Sequence, residues 1–502
     1  ETVIAKIPGE EDQQIRTVQK VRIDSYDPFE MCYILVDANT GKVLNKINLM
    51  AHADVPGTGH TLYSGNQSIT CDSQQGRYRL RENGRNIQTL NATNATNLTT
   101  SGFTGSTDFV NSSTTWTGLP SLDSFTISSV AQSWWYAVFA DKTPDLYIVV
   151  KDGNDQAVYT SSYYNNTLPS VSWQNLGIIM TDPPYKVEVW DYDPVVSDDF
   201  GGSYSILSTT GTQSWSGSGN NGTYNIGNSG HPALDVHWGM EVAYDFYLNQ
   251  LGRDSYDDNG SLIKQYINSP PTQANQNGNP NNAFAMNAPY NIMVYGLGDG
   301  QLMNPVVGLD VEGHEFTHMV INNNGNGGLT YQGESGALNE SFADIFGTCV
   351  EFYSGINSDW EIGEDVTVSA TNLRSMLNPN NPNGLSQQPD TYQGTHWVNP
   401  NSSQDNGGVH INSGVQNYWF YLLSQGGSGT NDLGNSYSVS GIGLADARDI
   451  AYRNLTNYLT SSATFMDAYY GSLQAADDLF GIPSTEYTAV QQTMKIILIV
   501  LG

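Results

Sequence analysis

Apolar residues recur along this chain with changing rhythm, and the changes divide it. From about residue 1 to 50, apolar runs flank Asn39, Thr40 and Gly41, which predicts a β-hairpin. From about 53 to 230 the chain is rich in Gly, Ser, Thr, Asn and aromatic residues. Its short apolar runs, clearest at Tyr147–Val150 and Val187–Trp190, predict mostly β structure. Helical spacing starts near Asp235. Trp238, Val242, Asp245/Phe246 and Asn249 fall on one face, and Gly252 suits a C-cap. A second helix is predicted over Leu309–Asn322, and the C-terminal part is largely helical. There, Thr464 with Asp467 makes a capping-box start, and Phe465, Ala468, Tyr469 and Ala476 continue an apolar stripe. The expected class is α+β.

Charge narrows the functional classes. The 502 residues hold 19 Lys and Arg against 50 Asp and Glu, a formal net charge of −31. No basic footprint exists to displace counterions, so nucleic acid is not an expected partner. Such acidity serves solubility, or places some carboxylates in calcium sites; both readings stand. Three cysteines, Cys32, Cys71 and Cys349, cannot build a disulfide framework. Cys349 lies in an apolar run and reads as a buried thiol, while a Cys32–Cys71 bridge stays open. No apolar stretch is long enough to span a bilayer, and a membrane partner is not expected. The oligomeric state is open.

The candidate chemistry centres on His314-Glu315-Phe316-Thr317-His318. On a helix, positions i and i+4 face the same way about 6 Å apart, so both imidazoles can bind one zinc. Glu315 then lies beside the metal's open position, where a base is needed. A catalytic zinc needs a third protein ligand. Downstream, the segment from Glu334 to Asp344 contains Asn339-Glu340 and, one turn on, Asp344. This segment resembles the third-ligand helix of the thermolysin family of zinc metallopeptidases, whose pattern ends Asn-Glu-x-x-x-Asp. The resemblance implies Glu340 as third ligand, Asp344 as partner of His314, and Asn339 as partner of His318.

Further segments carry the same resemblance. Asp405 through Gly414, with His410, is similar to the family's active-site histidine motif. It implies that His410 donates to the oxyanion, with Asp405 orienting it and Tyr331 as second donor. Asn281-Asn282-Ala283-Phe284 is similar to the edge strand that pairs with substrate, which implies that Asn282 and Ala283 contact the peptide backbone. Arg374 would grip the substrate carbonyl next to the scissile bond. The resemblance also implies that Val311, Ile362, Val366 and Leu373, at positions that line the family's pocket on the leaving-group side, form that pocket here.

The fold thus implied has two lobes: a β-rich N-terminal lobe with the zinc helix, and a helical C-terminal lobe. The implied activity is that of a secreted metalloendopeptidase acting on protein or peptide substrates. It would use one catalytic zinc, water activated by that zinc, and Glu315 as general base, and would prefer bulky apolar residues on the leaving-group side. The alternative is a surface or assembly protein built on a peptidase scaffold. The intact set of His314, Glu315, His318, Glu340, Tyr331 and His410 argues against it, because a dead scaffold has no chemical need for all six.

Two or more calcium ions are also expected. Asp310, Glu351, Asp359, Glu361 and Glu364 would repel one another without a hard cation, and in the family these positions form a paired calcium site. Residues 120–205 lack a counterpart in the family core. They resemble calcium-dependent β-sandwich modules of the protein-kinase-C and synaptotagmin type, with Asp145, Asp191, Asp193 and Asp199, joined by Asp141, as calcium ligands at one end. The expected layout is 1–52 as a propeptide-like tail, 53–119 as the first part of the N-terminal lobe, 120–205 as the insert, 206–325 as the lobe continued, and 326–502 as the helical lobe. The N-terminal hairpin resembles the end of an inhibitory propeptide; the other reading makes it a strand pair of the mature fold.

Overall fold

The structure is a computed structural model. It describes residues 2–6, 15–26, 29–48, 53–74, 76–93, 95–131, 144–153, 155–165, 167, 169–180, 184–193, 197–207, 210–268 and 279–498. Eight helices occur among them: α1 (Pro232–Leu251), α2 (Leu309–Asn322), α3 (Gly333–Ser354), α4 (Asp405–Asn412), α5 (Gly414–Gln425), α6 (Leu444–Asn457), α7 (Phe465–Phe480) and α8 (Thr485–Leu498).

The helix ends follow their local chemistry. Pro232 starts α1, where a missing N–H costs nothing, and His231 accepts from Ala233 N. Gly252 closes α1 at φ 70°, as its lack of a Cβ permits. The expected capping box opens α7: Thr464 accepts from Asp467 N while Asp467 accepts from Thr464 N.

The core explains why α2 and α3 lie together. Phe316, Met319, Val320 and Ile321 of α2 are buried, as are Leu338, Phe342, Ile345 and Phe346 of α3. Each large apolar side chain so buried contributes roughly 1.5–3 kcal/mol. Two glycines set the distance. A Cβ on Gly313 would fall 2.9 Å from Gly347 Cα, and one on Gly347 would fall 2.5 Å from Asp310 O. The helix backbones therefore touch, and this close approach brings Glu340 of α3 to His314 and His318 of α2.

Among the described residues the N-terminal lobe holds two large sheets and a two-stranded one, Asn97–Thr99 with Gly102–Thr104. In one of the large sheets, Ala53–His60 is an interior strand between Asn66–Gln74 and Thr115–Trp116. In the other, Ile263–Ile267 runs parallel to both Ile87–Asn91 and Ile292–Tyr295, and Ala283–Met286 stands at the end of the sheet, antiparallel to Ile292–Tyr295.

The insert is a sandwich of two four-stranded sheets. One has the order Val171–Ile179, Leu119–Ser129, Asn220–Ser229, Gly211–Gly217. The other has the order Ala157–Thr160, Leu146–Lys151, Tyr185–Asp191, Asp199–Ile206. The sheets run on to Ser229, past the expected end at 205. Asn220–Ser229 pairs along Leu119–Ser129, and Trp215, Tyr224 and Ile226 join Phe125, Ile148, Val150, Val187 and Val189 in one core. These last two strands are so rich in Gly, Ser and Asn that the apolar pattern hid their membership.

Thr2–Lys6, Ile15–Tyr26, Phe29–Asp37 and Val43–Asn48 form a separate meander. The expected hairpin is its last pair, Phe29–Asp37 with Val43–Asn48. Asp37 Oδ1 accepts from Asn39 N and Thr40 N at 2.9 Å each, which closes the turn. Cys71 and Cys349 are buried free thiols, so the Cys32–Cys71 bridge does not form; Cys71 instead accepts from Trp116 Nε1 at 3.2 Å. No helix among the described residues is long and apolar enough to cross a membrane.

Candidate active site

Helix α2 presents His314 and His318 on one face, and α3 carries Glu340 to meet them. The two Nε2 atoms are 3.0 Å apart, and Glu340 carboxylate oxygens lie 3.6 Å from His314 Nε2 and 3.4 Å from His318 Nε2. One ligand atom from each of the three lies within 4.8 Å of the others.

The far side of each ring is held. His314 Nδ1 donates to Asp344 Oδ1 at 2.9 Å, and His318 Nδ1 donates to Asn339 Oδ1 at 2.7 Å. Both pairings match the expectation. With Nδ1 protonated, each Nε2 keeps a lone pair aimed at the shared point. Glu340 Oε2 is buried without a hydrogen-bond partner, an arrangement that is costly unless a cation completes it. The residues present therefore fit a metal ion.

Asp344 collects more donors than the sequence indicated. Arg374 donates to it through Nε (2.7 Å) and Nη2 (2.6 Å), and Asn417 Nδ2 adds a third contact at 2.7 Å. Burial pushes the Asp344 carboxyl up, but the Arg374 charge and the His314 hydrogen bond more than offset this and hold it at about 2. Asn417, on α5, was not foreseen; no local motif marks a residue that reaches Asp344 only through tertiary packing.

Glu315 is buried beside the ligands, with Oε2 lacking a partner. Burial raises its pKa, and the neighbouring imidazoles partly counter the rise. Across the cleft, His410 Nδ1 donates to Asp405 Oδ1 at 2.6 Å, and Asp405 Oδ2 accepts from His410 N at 2.8 Å. The sharp entry into α4, with Asp405 through Gly408 all at positive φ, lets Asp405 reach back in this way. Tyr331 OH lies 3.1 Å from His410 Nε2 and also donates to Glu340.

Two cavities meet here. The larger, about 540 Å³, is lined by Asn282, Ala283, Phe284, His314, Glu315, His318, Tyr331, Glu340 and His410, among others. The smaller, about 220 Å³, shares Asn282, Ala283, His314, Glu315, Glu340 and His410 and adds an apolar wall of Met303, Val306, Val311, Ile362 and Leu373, with Arg374. Met303 and Val306 were not expected. Val366 is fully buried and is not in the wall; its carbonyl accepts from Asn304 N at 2.9 Å, behind the pocket.

The acidic cluster is partly assembled. Glu351, Asp359 and Glu364 form a second group able to hold a metal ion. Asp310 abuts them but spends its oxygens on Gly363 N (2.6 Å) and Val311 N (2.8 Å). Glu361 is not part of that group, and its carboxylate accepts from Asn372.

In the insert, Asp191 is buried, with Asp145, Asp193 and Asp199 near enough to raise its pKa further after burial, to about 6. Asp191 Oδ1 accepts from Asp145 N at 2.6 Å. These four are not among the groups of three that converge on a metal-sized point among the described residues. Asp198, not singled out in the sequence, accepts instead from Tyr147 OH (2.7 Å) and Asp193 N (3.1 Å). Asp141 lies outside the described residues.

Comparison with known proteins agrees with this geometry. Residues 179–322 match the thermolysin metallopeptidase catalytic domain, and residues 327–499 match its alpha-helical domain. Bacillolysin of Bacillus caldolyticus is 42% identical over 267 residues, which is 52% of this chain and 44% of that protein. The match thus spans less than half the length of that relative. Neutral protease NprE of Bacillus pumilus is 38% identical over 260 residues, 52% of this chain and 74% of that one. A solved structure, the precursor of protealysin from Serratia proteamaculans, is 29% identical with a TM-score of 0.43, covering 53% of this chain and 78% of that chain. Two matched domains in chain order, around a His314–His318–Glu340 group, place this chain in the thermolysin family of metallopeptidases.

Proposed function

We propose that the chain is a secreted, zinc-dependent endopeptidase that cleaves internal peptide bonds ahead of bulky apolar residues. The observation that supports this best is the convergence of His314, His318 and Glu340 in the floor of a cleft that also contains Glu315, Tyr331 and His410. Two imidazole nitrogens and one carboxylate are a donor set suited to catalytic zinc. Bound there, zinc supplies Lewis acidity to the peptide carbonyl and to water.

The chain's own groups do the rest. Glu315 takes the proton of the attacking water and delivers it to the leaving nitrogen as the C–N bond breaks. His410 Nε2 and Tyr331 OH donate to the carbonyl oxygen as it gains charge, and Asp405 keeps the His410 ring aimed. An extended substrate adds to the free edge of Ala283–Met286, meeting Asn282 and Ala283. Arg374, steadied by Asp344, closes one side of the apolar pocket and offers its charge to a substrate carbonyl.

A blocked-peptide library should show cleavage before Leu, Phe and similar residues, because Met303, Val306, Val311, Ile362 and Leu373 present an apolar wall. One methylene in such a pocket is worth about 1–3 kcal/mol, so the preference should be clear but not absolute. A profile dominated by charged residues at that position would reject this specificity.

Calcium is the natural partner of the Glu351, Asp359 and Glu364 group, with Asp310 beside it, because hard carboxylate oxygens dominate there. Maturation is expected to remove the N-terminal meander. The expected layout ends the propeptide-like tail at residue 52, so a cut between about 49 and 57 would release it. Ala53–His60, however, is an interior strand paired residue by residue with Asn66–Ser73, so cleavage is expected ahead of Ala53. N-terminal sequencing of the active enzyme checks this. A fully active chain that still begins at Glu1 would assign the meander to the mature fold.

A further inference from the structure

We propose that Asn281 and Asp299 are a pair of positioning residues that holds the substrate-binding strand, an inference that rests on the peptidase reading above. Among the described residues, Ala283–Met286 stands at the end of its sheet, paired on one side by Ile292–Tyr295. An end strand that must receive a peptide has to be kept in place by something other than a second strand. The fastening lies just before it. Asn281 Nδ2 donates to Asp299 Oδ2, and Asp299 N donates to Asn281 Oδ1, both at 2.8 Å. The other Asp299 oxygen, Oδ1, accepts from Gln301 N at 2.8 Å and Leu302 N at 2.7 Å. One carboxylate thus ties the entry of the substrate strand to the turn that follows.

Backbone bonds flank this pair. Gly296 N donates to Asn282 O at 3.0 Å, and Gly298 N donates to Pro280 O at 2.9 Å. The turn is folded tightly on itself: Gly298 adopts φ 70°, and a Cβ there would meet Met303 O at 2.3 Å. Both ends of the device reach the substrate site. Asn281 itself lines the smaller cavity, Asn282 lines both, and Met303 and Val306, just past the turn, form part of the apolar wall. Asp299 lines neither cavity and acts through its neighbours. The zinc-binding group sits on α2 and α3, which this turn does not build. Loosening the pair should therefore weaken substrate binding more than the chemical step.

The test measures kcat and KM on a peptide long enough to run along the strand, with zinc content and melting temperature alongside. Asp299→Ala leaves the Asn281 amide and two backbone N–H groups without their acceptor. Asn281→Asp sets one carboxylate against another. Each should lower kcat/KM about tenfold, mostly through KM, with zinc retained. The exchanged pair, N281D with D299N, restores a donor facing an acceptor at both hydrogen bonds and should recover most of the loss. An unchanged KM in Asp299→Ala, a loss that falls on kcat together with zinc content, or an exchanged pair no better than N281D alone would each overturn the proposal. Absence of peptide hydrolysis by the unaltered chain would instead overturn the peptidase reading on which it rests.

Discussion

Glu315→Gln is expected to lower turnover by about 10²–10⁴-fold while zinc stays bound in full. The side chain is buried beside the metal-binding group on α2 but is not part of it. Gln matches its volume and its helix preference, so the packing around Phe316 and α3 should be undisturbed. The ligands keep their supports: Asp344 and Asn339 hold the two rings whatever stands at 315. What the amide cannot do is accept a proton from water and return it to the leaving nitrogen. Metal analysis of the purified variant and steady-state hydrolysis of a blocked peptide measure the two halves separately. Near-normal activity with bound zinc would refute Glu315 as the base.

Calcium should raise the melting temperature by about 3 °C, and the gap should be wider at pH 8 than at pH 5. The size follows from mass action: a cation at about a hundred times its dissociation constant stabilises the folded state by about 2.7 kcal/mol. The pH trend follows from the carboxylates. Burial, then the charges of their neighbours, raise Asp310 to about 6, Glu364 to about 9 and Glu351 to about 11. In the unfolded chain such groups titrate near 4. Between those limits the cation-free folded state binds protons that the unfolded chain has released. The contribution of these three groups to its stability is therefore greatest below about pH 4 and falls as pH rises through the window. A bound divalent cation removes that repulsion and flattens the dependence. Melting curves of E315Q, which cannot digest itself, give the comparison in calcium-free buffer with zinc kept present and in the same buffer with calcium added. Glu351→Gln should raise stability in the calcium-free arm and shrink the response to calcium. A gap that is absent, or that narrows as pH rises, would contradict a calcium site here.

Much of the candidate catalytic centre was legible because helical chemistry is local. His314 and His318 are separated by one turn, so their shared face follows from helix geometry alone, and the predicted span Leu309–Asn322 is the observed one. Glu340 and Asp344 repeat this logic on α3. The turn at Asp37–Thr40 and the cap at Thr464 were readable for the same reason, since each depends on residues a few positions apart.

Other features depend on contacts between distant segments. The approach of α2 to α3 rests on Gly313 facing Gly347, and neither glycine announces its partner. Asn417 reaches Asp344 across 73 positions, and Met303 and Val306 become pocket wall only when the folded chain sets them beside Val311, Ile362 and Leu373. Val366 was expected in the pocket wall, yet it is fully buried and is not among the residues that line the cavity. The carboxylates of the insert lie at one end of the sandwich, as their spacing suggested, but strand pairing sets Asp191 against Asp145 N rather than bringing the set onto one point. The end of the sandwich at Ser229 was invisible because Gly, Ser and Asn carry no apolar alternation; pairing with Leu119–Ser129 determines it. The sequence by itself therefore determined which residues can do the chemistry, since ligand type and one-turn spacing are local properties. Tertiary structure decided what surrounds them, because burial, pocket shape and the last hydrogen-bond partner exist only after remote segments meet.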